Sequence, residues 1–311
     1  MSGRGEQTVV PDVEFESYYG RQILKTPTWQ PLDIAGYLFL GGLAGASGVL
    51  AEGAALTGRP GLERVARLAA VSAASLGTVG LVHDLGRPGR FLNMLRVLKP
   101  TSPMSVGSFI LAPFAGLSTA ALASSLTGRL PLLGRTASMG AAMFGPPLAT
   151  YTAALISDTA VPSWHEGYRQ MPFLFAGSAA SAAGGLAMAL APAAETGPAR
   201  RMATAGAALE LVSSQLLTRS IGLAAEPYKS GRSGTMLKSA EALTAVAVLG
   251  SLAGRSRPVA ALAGACLVGA SALTRFAIFK AGVVSAEDPK YVVVPQRERA
   301  DRAAAQPAGS A

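Results

Sequence analysis

Two windows of the chain, 103–128 and 136–157, carry no formal charge at all. Each is long enough to cross a hydrocarbon core of about 30 Å as a helix. In lipid every backbone N–H and C=O has to be paired within the protein, and an uninterrupted helix does this unaided. The rest of the chain repeats the pattern. Eight apolar segments, 33–57, 65–83, 104–127, 137–157, 172–192, 202–224, 235–253 and 258–280, are separated by polar stretches. Half of the residues are hydrophobic and only 14% are charged, too few to cover the surface of a soluble protein of 311 residues. The expected fold class is therefore all-α, a polytopic membrane protein. It comprises an N-terminal tail over 1–32, an eight-helix membrane domain over 33–280, and a C-terminal tail over 281–311 whose last part, 300–311, is expected to be disordered.

The segments are rich in Ala and Gly rather than Leu. Small residues four apart, such as Gly41/Gly45 and Ser181/Gly185, suit close helix packing, although such pairs are common in any membrane helix. The first thirty residues are polar and mixed in charge, without the apolar core of a signal peptide, so the first membrane helix is expected to direct insertion. Tyr18, Tyr19 and Trp29 are placed near the membrane edge, where aromatic rings are favoured.

The formal net charge of +9 does not point to nucleic acid, because the basic residues sit in short connections between apolar runs. With both termini on one side, that side also holds 84–103, 158–171 and 225–234. The opposite side holds the shorter connections 58–64, 128–136, 193–201 and 254–257, whose charges are almost all Arg. Weighting short loops places both termini outside the cytoplasm of a multi-pass inner or plasma membrane protein, with Arg87, Arg90, Arg96 and Lys99 opposing that assignment.

Cys266 is the single cysteine, which excludes an iron–sulfur cluster or a Cys-type zinc site held by this chain. His83 and His165 are the two histidines. Haem ligation by the pair is set against proton relay, which suits a histidine in a polar loop better. No haem and no metal are expected in this chain.

A charge at mid-membrane costs about 2.5–3.5 kcal/mol, so it usually faces protein or water. Glu52, Glu210, Arg219, Lys238, Glu241 and Arg275 lie inside apolar segments. Lys238 and Glu241 are three apart and suited to pair. Ser213 and Ser214 share the face of Glu210. Arg219, Lys238 and Arg275 read as snorkelling side chains or structural ion pairs. Glu210, nearer mid-segment, reads as a functional buried acid, and Glu52 with Glu210 as candidates for a proton path. Asp33 reads as an anion at a helix N-terminus.

One polar, basic stretch between apolar runs has an order that a generic loop does not need. It runs Asp84-Leu85-Gly86-Arg87-Pro88-Gly89-Arg90-Phe91, then Lys99-Pro100-Thr101-Ser102-Pro103-Met104-Ser105-Val106-Gly107-Ser108. With Trp29 and Tyr37-Leu38-Phe39-Leu40-Gly41-Gly42, with Pro162-Ser163-Trp164-His165-Glu166, and with Arg275-Phe276 through Asp288-Pro289-Lys290-Tyr291 and Pro295-Gln296-Arg297, it resembles the NrfD/polysulfide reductase membrane-subunit family. The resemblance spans about 18–299, in order.

That resemblance implies two four-helix bundles side by side and a quinone-binding anchor subunit of a multi-subunit oxidoreductase. The implied partners are a four-cluster ferredoxin-like iron–sulfur subunit and, on it, a molybdopterin catalytic subunit. The implied cofactor is a quinone, menaquinone or ubiquinone. Quinone chemistry moves electrons and protons together, so the site needs an apolar slot, hydrogen-bond donors and proton-exchanging groups. His83, Asp84, Asp158 and His165 are the candidates for proton exchange. Tyr37 and Tyr151 are the candidate donors, and Arg87 and Arg90 the candidates to hold anionic character. Asp84 pairing with Arg87 or Arg90 merely to pin the loop is the competing role. At the level of function, an ion- or proton-translocating protein and a purely structural anchor stay open beside the redox reading.

Overall fold

The computed structural model describes residues 23–87, 89–253 and 256–305. All regular secondary structure among them is helical. Eight long helices follow one another: α1 Pro31–Leu56, α2 Pro60–Asp84, α3 Pro103–Thr127, α4 Pro131–Ser157, α5 Met171–Leu190, α6 Gly197–Ser220, α7 Gly231–Ala253 and α8 Arg257–Glu287. A further helix, α9 Lys290–Ala305, follows α8, and short helical turns occupy Gly89–Met94, Pro162–His165 and Glu226–Lys229. α9 thus includes residues 300–305, assigned by composition to a disordered end; Tyr18, Tyr19 and 306–311 lie outside the described residues.

Proline starts most of these helices. Pro31, Pro60, Pro103 and Pro131 stand at N1, where the missing N–H is one the helix does not use. Gly128 ends α3 in the left-handed conformation, φ 68°, which lets the chain reverse towards α4. α1, α2, α3, α5 and α8 are long and apolar enough by composition to cross a membrane. α4 is diluted by Pro146, Pro147 and small residues, and α6 and α7 by charges.

α1 packs on α2 and α4, and α3 packs on α4 and α2. In the second half, α5 packs on α6 and α8, and α7 packs on α8 and α6. α1 and α5 carry the main contact between the halves, helped by α4 and α8. Small residues make the closest approaches. A Cβ on Gly45 would strike the carbonyl of Gly145, which brings α1 against α4, and Gly185 meets Gly264 between α5 and α8 in the same way. Lipid tails are as apolar as the side chains, so such close van der Waals contact, rather than burial from water, holds the helices together.

The elements have two distinct ends. At one, the start of α1 meets the end of α2, Trp29 stacks on Trp164 at 5.9 Å, and Trp164 Nε1 donates to the Ile278 carbonyl of α8. At the other, the Leu62 N–H of α2 donates to Glu195, and Arg257 donates to the α5 carbonyls of Met188 and Ala189. Connections 85–102 and 158–170 belong to the first end, together with α9.

Candidate functional site

At the first end a narrow apolar cleft, with free room of only about 40 Å³, opens where α1, α2, α3 and α4 converge, and Trp29, Tyr37, Leu81, Asp84, Ser108 and Tyr151 line it. Two glycines seat its aromatic walls. Gly107 comes so close to the Tyr151 ring that any β-carbon there would overlap it, and Gly77 of α2 sits against Tyr37. This gives the Met104-Ser105-Val106-Gly107-Ser108 run a physical purpose. Its glycine admits the tyrosine, and its last serine faces the cleft while donating back to the Met104 carbonyl.

Tyr37 and Tyr151 meet edge to face, with ring centroids 6.4 Å apart. Tyr37 is 2% exposed, and its hydroxyl has no hydrogen-bond partner. A buried phenol normally finds a partner, so this unpaired hydroxyl is unusual. Asp84 stands at the mouth. Its Oδ1 accepts from the Gln30 N–H at 2.9 Å, which ties the end of α2 to the start of α1. Among the described residues Asp84 pairs with neither Arg87 nor Arg90. The pinning role therefore exists, but it is made to backbone.

His83 sits just outside the cleft. Its Nδ1 is 2.6 Å from Asp33 Oδ2, and its side chain is 75% exposed. Asp33 thus has a partner beyond the helix N-terminus. Arg87 and Arg90 are exposed and do not line the cleft. Gly86, with a positive φ of 67°, follows α2 directly, and the lining of the cleft includes neither arginine assigned to it from sequence. Pro88 lies outside the described residues.

Asp158 and His165 do not join this cleft. Asp158 caps the end of α4 and is exposed. The His165 Nδ1 lies 3.1 Å from the Ser157 carbonyl, and the ring borders a separate polar groove with Glu166, Tyr291 and Arg299. The Trp29–Trp164 stack separates the two places: Trp29 lines the cleft, while Trp164 is fully buried against Phe279. Of the candidates for quinone chemistry, the structure therefore gathers Tyr37, Asp84 and Tyr151, keeps His83 at the rim, and leaves Asp158, His165, Arg87 and Arg90 elsewhere. No group of His, Cys, Asp and Glu suited to a metal occurs among the described residues.

Glu52 stands fifteen residues beyond Tyr37 on α1, about 22 Å along the axis. It is buried, accepts from Ser138 at 2.6 Å, and borders an arginine-rich groove at the opposite end. Glu210, on α6, lies in the other half of the molecule, where Thr274 Oγ1 is 2.8 Å from its Oε1. The expected Lys238–Glu241 pair is absent among the described residues. Lys238 is exposed, while Glu241 turns towards α6 and accepts from Ser214 at 2.6 Å. Arg275 does not snorkel. It is fully buried, donates to the Phe175 carbonyl, and lies 3.6 Å over the Phe175 ring. Trp29 as a cleft wall, Ser108, Ser138 and Thr274 were not singled out for these roles from sequence. For Ser108 the signal was present, since it ends the Met104-to-Ser108 run; Ser138 and Thr274 gain their importance only from a neighbouring helix.

No curated protein sequence matches the chain. α8 and α9, which carry the Arg275-to-Arg297 part of the resemblance, lie beyond the stretch that a known family covers. That stretch is residues 25–246, well over half of the chain and including every residue of the cleft; it matches polysulphide reductase, NrfD, and the protein therefore belongs to this family of membrane subunits of oxidoreductase complexes.

Proposed function

We propose that this chain is the quinone-reactive subunit of such a complex, and that the cleft of Tyr37, Asp84 and Tyr151 receives the quinone head group as substrate. The observation that carries the reading is the Tyr37 hydroxyl, buried and without a partner at a narrow apolar cleft, whose walls part to take the ring. A quinone offers a flat apolar ring for the tyrosine walls and a carbonyl that accepts from the Tyr37 hydroxyl. Reduction places two electrons and two protons on the ring. Tyr37 orients one carbonyl. Asp84, at the mouth, gives or takes a proton, and His83, exposed and paired with the largely buried Asp33 beside it, passes protons to and from solvent. Menaquinone and ubiquinone both meet these requirements.

Electrons pass to or from a four-cluster ferredoxin-like iron–sulfur subunit that serves a molybdopterin catalytic subunit. The exposed basic residues Arg87, Arg90, Arg96 and Lys99 beside the cleft support docking of such a partner at this end. The eight long helices all span the inner or plasma membrane, as two four-helix bundles. The pairwise packing within α1–α4 and within α5–α8 supports this arrangement. Both termini face away from the cytoplasm, as the arginine-rich short connections at the opposite end suggest.

The test is quinone-linked turnover of the assembled complex carrying Tyr37→Phe, Asp84→Asn or Asp158→Asn. The first two should lose most of the activity and the third should keep it. Wild-type turnover in both Tyr37→Phe and Asp84→Asn would remove the cleft as the site.

A further inference from the structure

The second half of the molecule holds a polar cluster that quinone chemistry in the cleft does not use. Glu210 of α6 and Glu241 of α7 border the same narrow gap, too small to admit a water, together with Ser214, Thr244 and Thr274. Both acids lie near the middle of their helices. Glu210 is 3% exposed and its Oε2 has no partner; Thr244 is 1% exposed and its hydroxyl has none either.

The hydrogen-bond count around Thr274 favours the neutral form of Glu210, against the pull of Arg275, whose Nε and Nη1 have no partner. Thr274 has one hydroxyl hydrogen but two oxygens in reach, the Ala270 carbonyl at 3.1 Å and Glu210 Oε1 at 2.8 Å. If Glu210 were ionised, both would be acceptors competing for that hydrogen, and the bare Oε2 would be a buried negative oxygen with no donor. If Glu210 is a neutral acid, it donates to Thr274, Thr274 donates to Ala270, and the cost of the bare oxygen falls. Glu241 is in the opposite situation. Its Oε1 accepts from Ser214 at 2.6 Å and from Gln215 at 3.4 Å, and it is only half-buried.

We infer that Glu210 holds an exchangeable proton, that Glu241 is the carboxylate through which it exchanges, and that Thr244 relays between them. The Thr244 hydroxyl at rest is bonded to neither acid, so transfer begins with side chains turning into the shared gap until Thr244 bridges them; the proton then leaves Glu210 for the Thr244 oxygen as the Thr244 hydrogen passes to Glu241, and one negative charge moves the other way. Arg275 brings the release within reach. It is the titratable group that α8 sets beside the cluster, and it is not in an ion pair among the described residues, being held by the Phe175 carbonyl and ring. An anion forming on Glu210 therefore meets a nearby cation not already neutralised by another acid. From α5 the cluster receives Ser178, which bonds Ser271, and the other charges of α6 and α7 in this region, Arg219 and Lys238, are exposed. This site does not depend on a quinone.

The test is infrared spectroscopy of the purified full-length chain in lipid nanodiscs, from mildly acidic to mildly alkaline pH. The wild type should show a protonated-carboxyl stretch that shifts in D2O. Glu210→Gln should abolish it and Glu52→Gln should retain it. Glu241→Gln and Thr244→Val should keep the band but slow its hydrogen–deuterium exchange several-fold. If Glu210→Gln does not accumulate, Thr274→Val must move the band by removing its hydrogen bond. The proposal fails if the band is missing, survives Glu210→Gln, ignores Thr274→Val, or exchanges at the wild-type rate in both relay variants. Loss of the band on adding sodium at fixed pH would make this a sodium site instead. Because no quinone takes part in the measurement, failure here leaves the cleft untouched, and failure of the cleft leaves this result standing.

Discussion

The α1–α4 half and the α5–α8 half use the same number of long antiparallel helices and the same small-residue contacts, yet they put their polar groups in different places. In the first half Tyr37, Asp84 and Ser108 gather at one end, around a cleft with an open mouth. In the second half Glu210, Glu241, Thr244 and Thr274 gather near mid-helix, around a gap that admits no water. The first is an open apolar slot beside an unsatisfied donor. The second is a closed gap beside the unpartnered oxygens of Glu210 and Thr244. The contrast shows that helix packing alone does not define a task; the depth at which polar side chains are buried does.

The sharpest way to break this contrast is to disturb what joins the halves. Trp164 is fully buried, stacks on Trp29 ahead of α1, tilts against Phe279 of α8, and bonds the Ile278 carbonyl. Trp164→Ala should cost about 3–5 kcal/mol, read as a large fall in thermal stability of the chain in lipid nanodiscs, and should loosen both halves together. A change confined to one half would mean that the halves are independent.

The next effect tests the cleft alone. Tyr37→Phe and Asp84→Asn should each lower quinone-linked turnover of the complex by about 10²-fold, the scale of a lost catalytic hydrogen bond or proton transfer. Glu210→Gln, in the same assay, should leave the intrinsic rate of quinone reduction in detergent at the wild-type level. Equal losses from both halves would merge the two sites into one.

His83→Gln is expected to be milder than Asp84→Asn, because the ring is mostly exposed and water can replace it as a proton carrier. A pH–rate profile should show the loss growing at alkaline pH, where solvent protons are scarce. The smallest effect concerns the bridge from Lys290 to Glu226 at 3.0 Å, next to α8. The hydrogen bond to Glu226 raises the Lys290 pKa above its ordinary value. The bridge therefore contributes stability below the usual lysine range and loses it as pH rises through the raised value. Since both side chains are well exposed, Lys290→Met should cost under about 1 kcal/mol at neutral pH, and the difference in thermal stability should vanish under strongly alkaline conditions.

Much of this molecule is legible before any fold is known. Charge-free windows announce helices in lipid, prolines mark where they begin, and the ordered run from Asp84 to Ser108 carries the family. Tyr37, Asp84 and Tyr151 are recognisable as quinone-site candidates because their chemistry is scarce in such a chain. What the sequence did not contain was the choice among equally scarce residues. Arg87 and Arg90 stand within six residues of Asp84, yet neither lines the cleft, whereas Tyr151 is far off in the chain and shares the cleft because Gly107 admits its ring. Lys238 is three residues from Glu241 on one helix, yet Glu241 bonds Ser214 of another.

The reason is physical. A helix in water declares its inner face by its apolar stripe, but a helix in lipid is apolar on every side, so its sequence does not say which neighbour each face will meet. Helical class, membrane residence and family follow from the sequence by itself. Which buried acid faces which hydroxyl, and which tyrosine is left without a partner, were decided only by the packing of one helix against the next.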